Sequence, residues 1–63
     1  MVLKDLLYLI DSHDVTIRYK ELSITIIGYL TEEKIQSIPD EIVNRNVDCI
    51  TVDGKGIVFI TIR

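Results

Sequence analysis

The segment Ile57-Val58-Phe59-Ile60-Thr61-Ile62, at the end of a chain of 63 residues, is rich in β-branched and aromatic residues and apolar on both of its alternating faces. A strand with one face in water alternates apolar with polar residues, so this run predicts a strand that needs cover on both sides of its sheet. A chain this short has little material for two covering layers. The expectation is one small domain, residues 1–63, whose second sheet face is closed by another copy of itself or by a partner protein.

Immediately upstream, Asp53-Gly54-Lys55-Gly56 is a strong turn, and before it Val47-Asp48-Cys49-Ile50-Thr51-Val52 is a second strand-like run. In this hairpin Ile50, Val52, Val58, Ile60 and Ile62 share one face, leaving Cys49, Ile57 and Phe59 for the other. Near the start, Val15-Thr16-Ile17-Arg18-Tyr19-Lys20 alternates cleanly, with Val15, Ile17 and Tyr19 on one side. Leu22 to Tyr29 forms its hairpin partner, placing Leu22, Ile24 and Ile26 together and Ile27 and Tyr29 on the reverse face. Lys20-Glu21 lacks the Asn-Gly or Asp-Gly of a tight primed turn, which leaves the turn type open. Gly28 marks a bulge or a close approach by another segment.

Helical signals surround these hairpins. Val2, Leu3, Leu6, Leu7 and Ile10 follow the spacing of one helix face, opposite Lys4, Asp5 and Tyr8. The helix is too short to persist alone and must be held by packing on the sheet. Asp11, Ser12 and Asp14 supply helix-ending and turn chemistry. Thr31 is an N-cap ahead of Glu32 and Glu33, and the helix it starts runs to about Gln36. Ser37-Ile38-Pro39-Asp40-Glu41 is a second helix start, with Ile42 and Val43 inward and Asn46 as a left-handed stop. One kinked helix and two short ones both fit. The fold class is α+β: a four-stranded, mainly antiparallel sheet of two hairpins, with an N-terminal amphipathic helix and a short helical connection.

Composition narrows the function. Aliphatic residues abound and Trp is absent, as in a globular chain rather than a disordered one. A domain of this size buries roughly 60% of the surface of its unfolded chain, and typical scaling puts its stability at roughly 3–9 kcal/mol. Ten acidic and seven basic residues give a net charge of −3 with no polybasic tract, which disfavours nucleic acid as a partner. A nucleic-acid regulator would need Arg18, Lys20, Arg45, Lys55 and Arg63 to gather on one surface. The apolar N-terminus is interrupted by Lys4 and Asp5 and is far shorter than the roughly 20 residues of a membrane span. A single cysteine, Cys49, cannot staple the domain, which points to a reducing compartment, the cytosol of a bacterium or of an infected cell.

No catalytic motif emerges. Ser12-His13-Asp14 has the letters of a triad, but a triad is assembled by convergence in space, and a solvated turn explains the segment better. His13 lacks the Cys and His companions of a zinc site. Cys49, on a strand, is read as a buried structural thiol. Asp53-Gly54-Lys55-Gly56 lacks the remainder of a phosphate loop and joins two strands instead of opening a helix. Glu32-Glu33 and Asp40-Glu41 answer to helix dipoles. A domain this small rarely accommodates a pocket of about 300 Å³ or more. Neither an enzyme nor a cofactor or metal site is expected.

Interaction by contact is the better-supported class. Ile27, Tyr29, Ile57 and Phe59 are the candidate interface, a sheet face left over once the N-terminal helix has covered the other. The competing expectation is that residues 31–46 fold over that face and complete a monomer. Pairing through an exposed edge strand is a further route to self-association.

Leu3-Lys4-Asp5-Leu6-Leu7 followed by Ile10-Asp11, the strand Val15 to Tyr19, Ile38-Pro39-Asp40-Glu41-Ile42-Val43 and the isoleucine-rich closing hairpin together resemble small proteins carried by phages and prophages of Gram-positive bacteria. The resemblance spans most of the chain as a pattern of helix, strand and turn and transfers no functional residue. It implies a noncatalytic accessory protein acting by protein–protein contact on a host or phage protein, in one form as an inhibitor of a host defence or regulatory complex. The partners that follow are a second copy of the chain, as a homo-oligomer and foremost a dimer, or a host or phage protein target, and the compartment the resemblance implies is the cytoplasm of a bacterial host cell. A self-assembling structural protein is the alternative.

Overall fold

The computed structural model describes all residues from 1 to 63. In chain order the elements are α1 (Leu3–Leu9), β1 (His13–Tyr19), β2 (Leu22–Tyr29), α2 (Glu32–Gln36), α3 (Asp40–Val43), β3 (Val47–Val52) and β4 (Val58–Ile62). The sheet runs β2-β1-β4-β3, with both hairpins antiparallel and β1 parallel to β4 at their junction. The connection between those parallel strands holds β2, α2, α3 and β3, more than the length a crossover requires.

Register decides the faces. Val15 stands opposite Ile26 and Ile17 opposite Ile24, while Ile17 also neighbours Ile60, which in turn faces Ile50. These residues look toward the helices. Leu3, Leu6 and Leu7 of α1, Ile35 of α2, Ile38, and Ile42 and Val43 of α3 join Val15, Ile17, Ile26, Ile60 and Ile62 in one buried cluster. All three helices therefore lie on one side. The connection does not fold over the opposite face, so the expectation that residues 31–46 close it does not hold.

Local chemistry sets the element ends. Thr31 caps α2 by accepting the Lys34 N–H at 3.2 Å, and Pro39 precedes a separate helix, so the connection is two short helices. Asn46 is not a left-handed stop: α3 ends at Asn44 with φ −88°, and the positive-φ non-glycine residues are Asp14 and Lys20. Asn46 instead forms an antiparallel bridge with Val2, flanked by hydrogen bonds from Leu3 to Arg45 and from Val47 to Met1. Asp14 belongs to β1 and not to a turn. Lys20, with φ 54°, supplies the left-handed residue of the two-residue β1–β2 connection. In the β3–β4 turn, the Asp53 carboxylate accepts the N–H groups of Lys55 and Ile57 at 2.8 and 2.9 Å.

A candidate interface on the open sheet face

The face turned away from the helices carries Ser23, Thr25 and Ile27 from β2, Thr16 and Arg18 from β1, Phe59 and Thr61 from β4, and Cys49 and Thr51 from β3. Thr16 is the one buried polar residue. Its hydroxyl meets that of Thr25 at 3.1 Å, and its register partner on the other side is Phe59. Phe59 is half-buried, with the Arg18 guanidinium 4.5 Å from its ring centroid. Such stacking leaves the N–H groups at the guanidinium edge free for an incoming acceptor.

Three of the four interface candidates gather at the other end of this face. Continuing the β1–β4 register towards the turn brings Ile57 beside Asp14, with Ile27 on the far side, so the two isoleucines stand two strand spacings apart, about 10 Å. Phe59 is one residue pair further in. Ile27 is 78% exposed and Ile57 is half-buried. Tyr29 lies beyond a bulge, 68% exposed, its ring edge-on to that of His13 at 5.5 Å.

That bulge is built from both strands. Gly28 has φ +82°, its N–H is donated to the Asp14 carboxylate at 2.8 Å, and the Lys34 ammonium donates to the Ile27 carbonyl at 2.7 Å. The Gly28 N–H above all, then the hydrogen bond with His13, hold the Asp14 carboxyl below its ordinary value; partial desolvation opposes this and the charge of Lys34 adds to it. Sequence reasoning flagged Gly28 but missed Asp14 and Lys34, because their partners are backbone atoms 14 and 7 residues away.

Four basic residues lie towards the end of the sheet where β1 and β4 finish, divided between its two faces: Arg18 on the open face, Lys20 and Arg45 over Tyr19 on the helical face. Arg18 neighbours Thr61, Arg63 follows at the end of β4, and Tyr19 carries the Arg45 guanidinium at 4.0 Å and the Lys20 ammonium at 5.2 Å. Lys55 lies at the opposite end. The Arg45 Nε is buried without a hydrogen-bond partner, so the guanidinium is held there by the ring. Asp48 approaches Arg63 at 3.8 Å.

Cys49 is exposed on β3, correcting the expectation of a buried thiol; β3 is an edge strand and nothing covers its outer face. Two depressions occur, of 140 and 320 Å³. The larger exceeds what so small a domain was expected to hold. It lies along β2 between Ile24–Ile27 and the Ser37-Ile38-Pro39 segment, and its one charged side chain, Lys34, is committed to the Ile27 carbonyl. No three His, Cys, Asp or Glu side chains are placed to share a metal ion. No helix is long and apolar enough to cross a membrane. Comparison with protein families, curated proteins and solved structures yields no match to this chain.

Proposed function

We propose that this protein acts without catalysis, by protein–protein contact through the open sheet face, as an accessory protein of the phage or prophage type that its sequence resembles. The observation that carries the reading is the placement of all three helices on one side of the sheet, leaving Ile27, Ile57 and Phe59 on the other with Arg18 stacked on Phe59. An aromatic ring and two aliphatic side chains beside an arginine are typical anchors of an interface core. The partner that fits is a protein surface with an apolar patch over the isoleucine end and a carboxylate over Arg18. Inhibition of a host defence or regulatory complex is one form of such action.

The test is retention of a host protein by the tagged chain, repeated with an Ile27→Glu/Phe59→Glu double variant whose circular dichroism matches the parent. A protein retained by the parent and lost by the variant supports the reading. Equal retention by both overturns it for this face.

A second reading has its own observation. Arg18, Lys20, Arg45 and Arg63 all lie towards one end of the sheet, though on both of its faces, and a nucleic-acid backbone running across that end is the contact they would support. Glu21 and Asp48 stand among them, and four phosphate contacts at most imply a shallow salt dependence, with a slope of about −3.6 for duplex DNA. A gel shift with random duplex at two salt concentrations tests it, and the absence of a shift at low salt rejects it.

A further inference from the structure

The two edges of the sheet are treated differently. On β2 the two-residue turn makes Tyr19 and Leu22 a hydrogen-bonded pair, so Ser23, Thr25 and Ile27 direct their backbone groups outward. The Lys34 ammonium occupies the outward carbonyl of Ile27, and the bulge at Gly28 ends the regular edge. A lysine and a bulge are common means of blocking an edge. On β3 the Asp53 N–H donates inward to the Ile57 carbonyl at 3.1 Å. Alternation then turns Thr51 and Cys49 inward and leaves the backbone groups of Ile50 and Val52 directed outward. Between the register shift at Asp48 and the turn at Asp53, residues Cys49 to Val52 of this edge carry no charge and no proline. The side chains of Ile50 and Val52 are 47% and 63% exposed, on the helical side but beyond the helices.

We infer that β3 pairs with β3 of a second copy, antiparallel and about a twofold axis at Thr51, joining two four-stranded sheets into one. The start of the chain selects this register. Met1 and Val2 already occupy the lane beside Asn46 and Val47. An axis at Ile50 would drive the partner's Asp53 and Gly54 into that lane, whereas an axis at Thr51 confines the paired segment to residues 49–53. Ile50 then stands opposite the partner's Val52, and Val52 opposite the partner's Ile50, so each exposed apolar side chain gains an apolar neighbour. This apolar self-complementarity of Ile50 and Val52, in the one register that the start of the chain leaves open, makes a second copy the occupant, and not an unrelated strand. The inference is independent of what binds the open face.

Thr51 sits on the axis in a non-hydrogen-bonded pair, where Cα atoms are about 4.5 Å apart, a separation a disulfide accepts. Cys49 faces the partner's Asp53 and lies far from its own copy. Light scattering across a dilution series is expected to show a dimer, and Ile50→Lys, with unchanged circular dichroism, a monomer. Under mild oxidation a Cys49→Ser/Thr51→Cys chain is expected to crosslink nearly fully while the parent does not. A monomer at all concentrations overturns the inference. So does a dimer that the double variant fails to crosslink, because the association then uses another surface or register.

Discussion

Gly28 and Asp14 show how much depends on single backbone angles. An added Cβ at Gly28 would stand 2.9 Å from the Lys34 Nζ, at a φ that side chains rarely adopt. Gly28→Ala therefore adds left-handed strain and pushes Lys34 off the Ile27 carbonyl, and denaturant unfolding is expected to show a loss of about 1–2 kcal/mol. Asp14 has φ 54° and binds the Gly28 N–H in its ionised form. Its folded carboxyl titrates below the ordinary aspartate value, so its stabilisation is complete above that value. It is lost as pH falls through the ordinary value and on to the lower folded one. Asn tolerates the same backbone angles and can accept the same hydrogen bond, so Asp14→Asn isolates the charge. The urea midpoint of the parent is expected to drop more steeply on acidification than that of the variant; parallel curves would show that the Asp14 charge contributes nothing.

Among the elements, packing outweighs local propensity. Helix α1 has seven residues and no side-chain cap, and it is held by Leu3, Leu6 and Leu7 in the core. Leu7→Ala is expected to cost about 2–5 kcal/mol. Thr31→Ala removes an exposed cap bond from α2 and is expected to cost only about 0.5–1 kcal/mol by the same measurement. Both elements were legible in the sequence, the first from its apolar stripe and the second from Thr31 with its following acidic pair. The faces of the β3–β4 hairpin were legible too, with Asp53-Gly54-Lys55-Gly56 marking its turn, but not its register, because the structure includes Ile57 in the turn and pairs Val52 with Val58. What local pattern did not contain was the strand order. Whether β4 lies beside β1 depends on how the connecting helices pack, and that order puts β3 at an edge with Ile50, Val52 and Cys49 exposed. Asn46 misled for a related reason, because the chain there pairs with Val2 instead of ending a helix by itself.

The whole molecule is one layer of helices on one sheet, with a Cα radius of gyration of 10.5 Å, against about 10.6 Å expected for its length. Its accessible surface is 4325 Å², where a compact monomer of this mass has about 4,100 Å². The apolar character of β4 on both faces thus leaves little excess surface, because Phe59 is sheltered by Thr16, Arg18 and Thr51 instead of by a second layer. Adjacent residues on this strand consequently belong to different levels of the molecule. Ile60 is completely buried among the helices, and Ile60→Ala is expected to cost about 2–5 kcal/mol. Set against a total of roughly 3–9 kcal/mol, that loss removes a large share of the stability, visible as a sharply lowered urea midpoint. Phe59→Ala removes a half-buried ring and its arginine stack, for an expected loss of about 1–2 kcal/mol. That variant stays folded while losing the anchor of the open face. A matched pair of unfolding curves and binding assays separates the two: if Phe59→Ala unfolds the chain as Ile60→Ala does, Phe59 is a core residue and the open face loses its claim to be an interface.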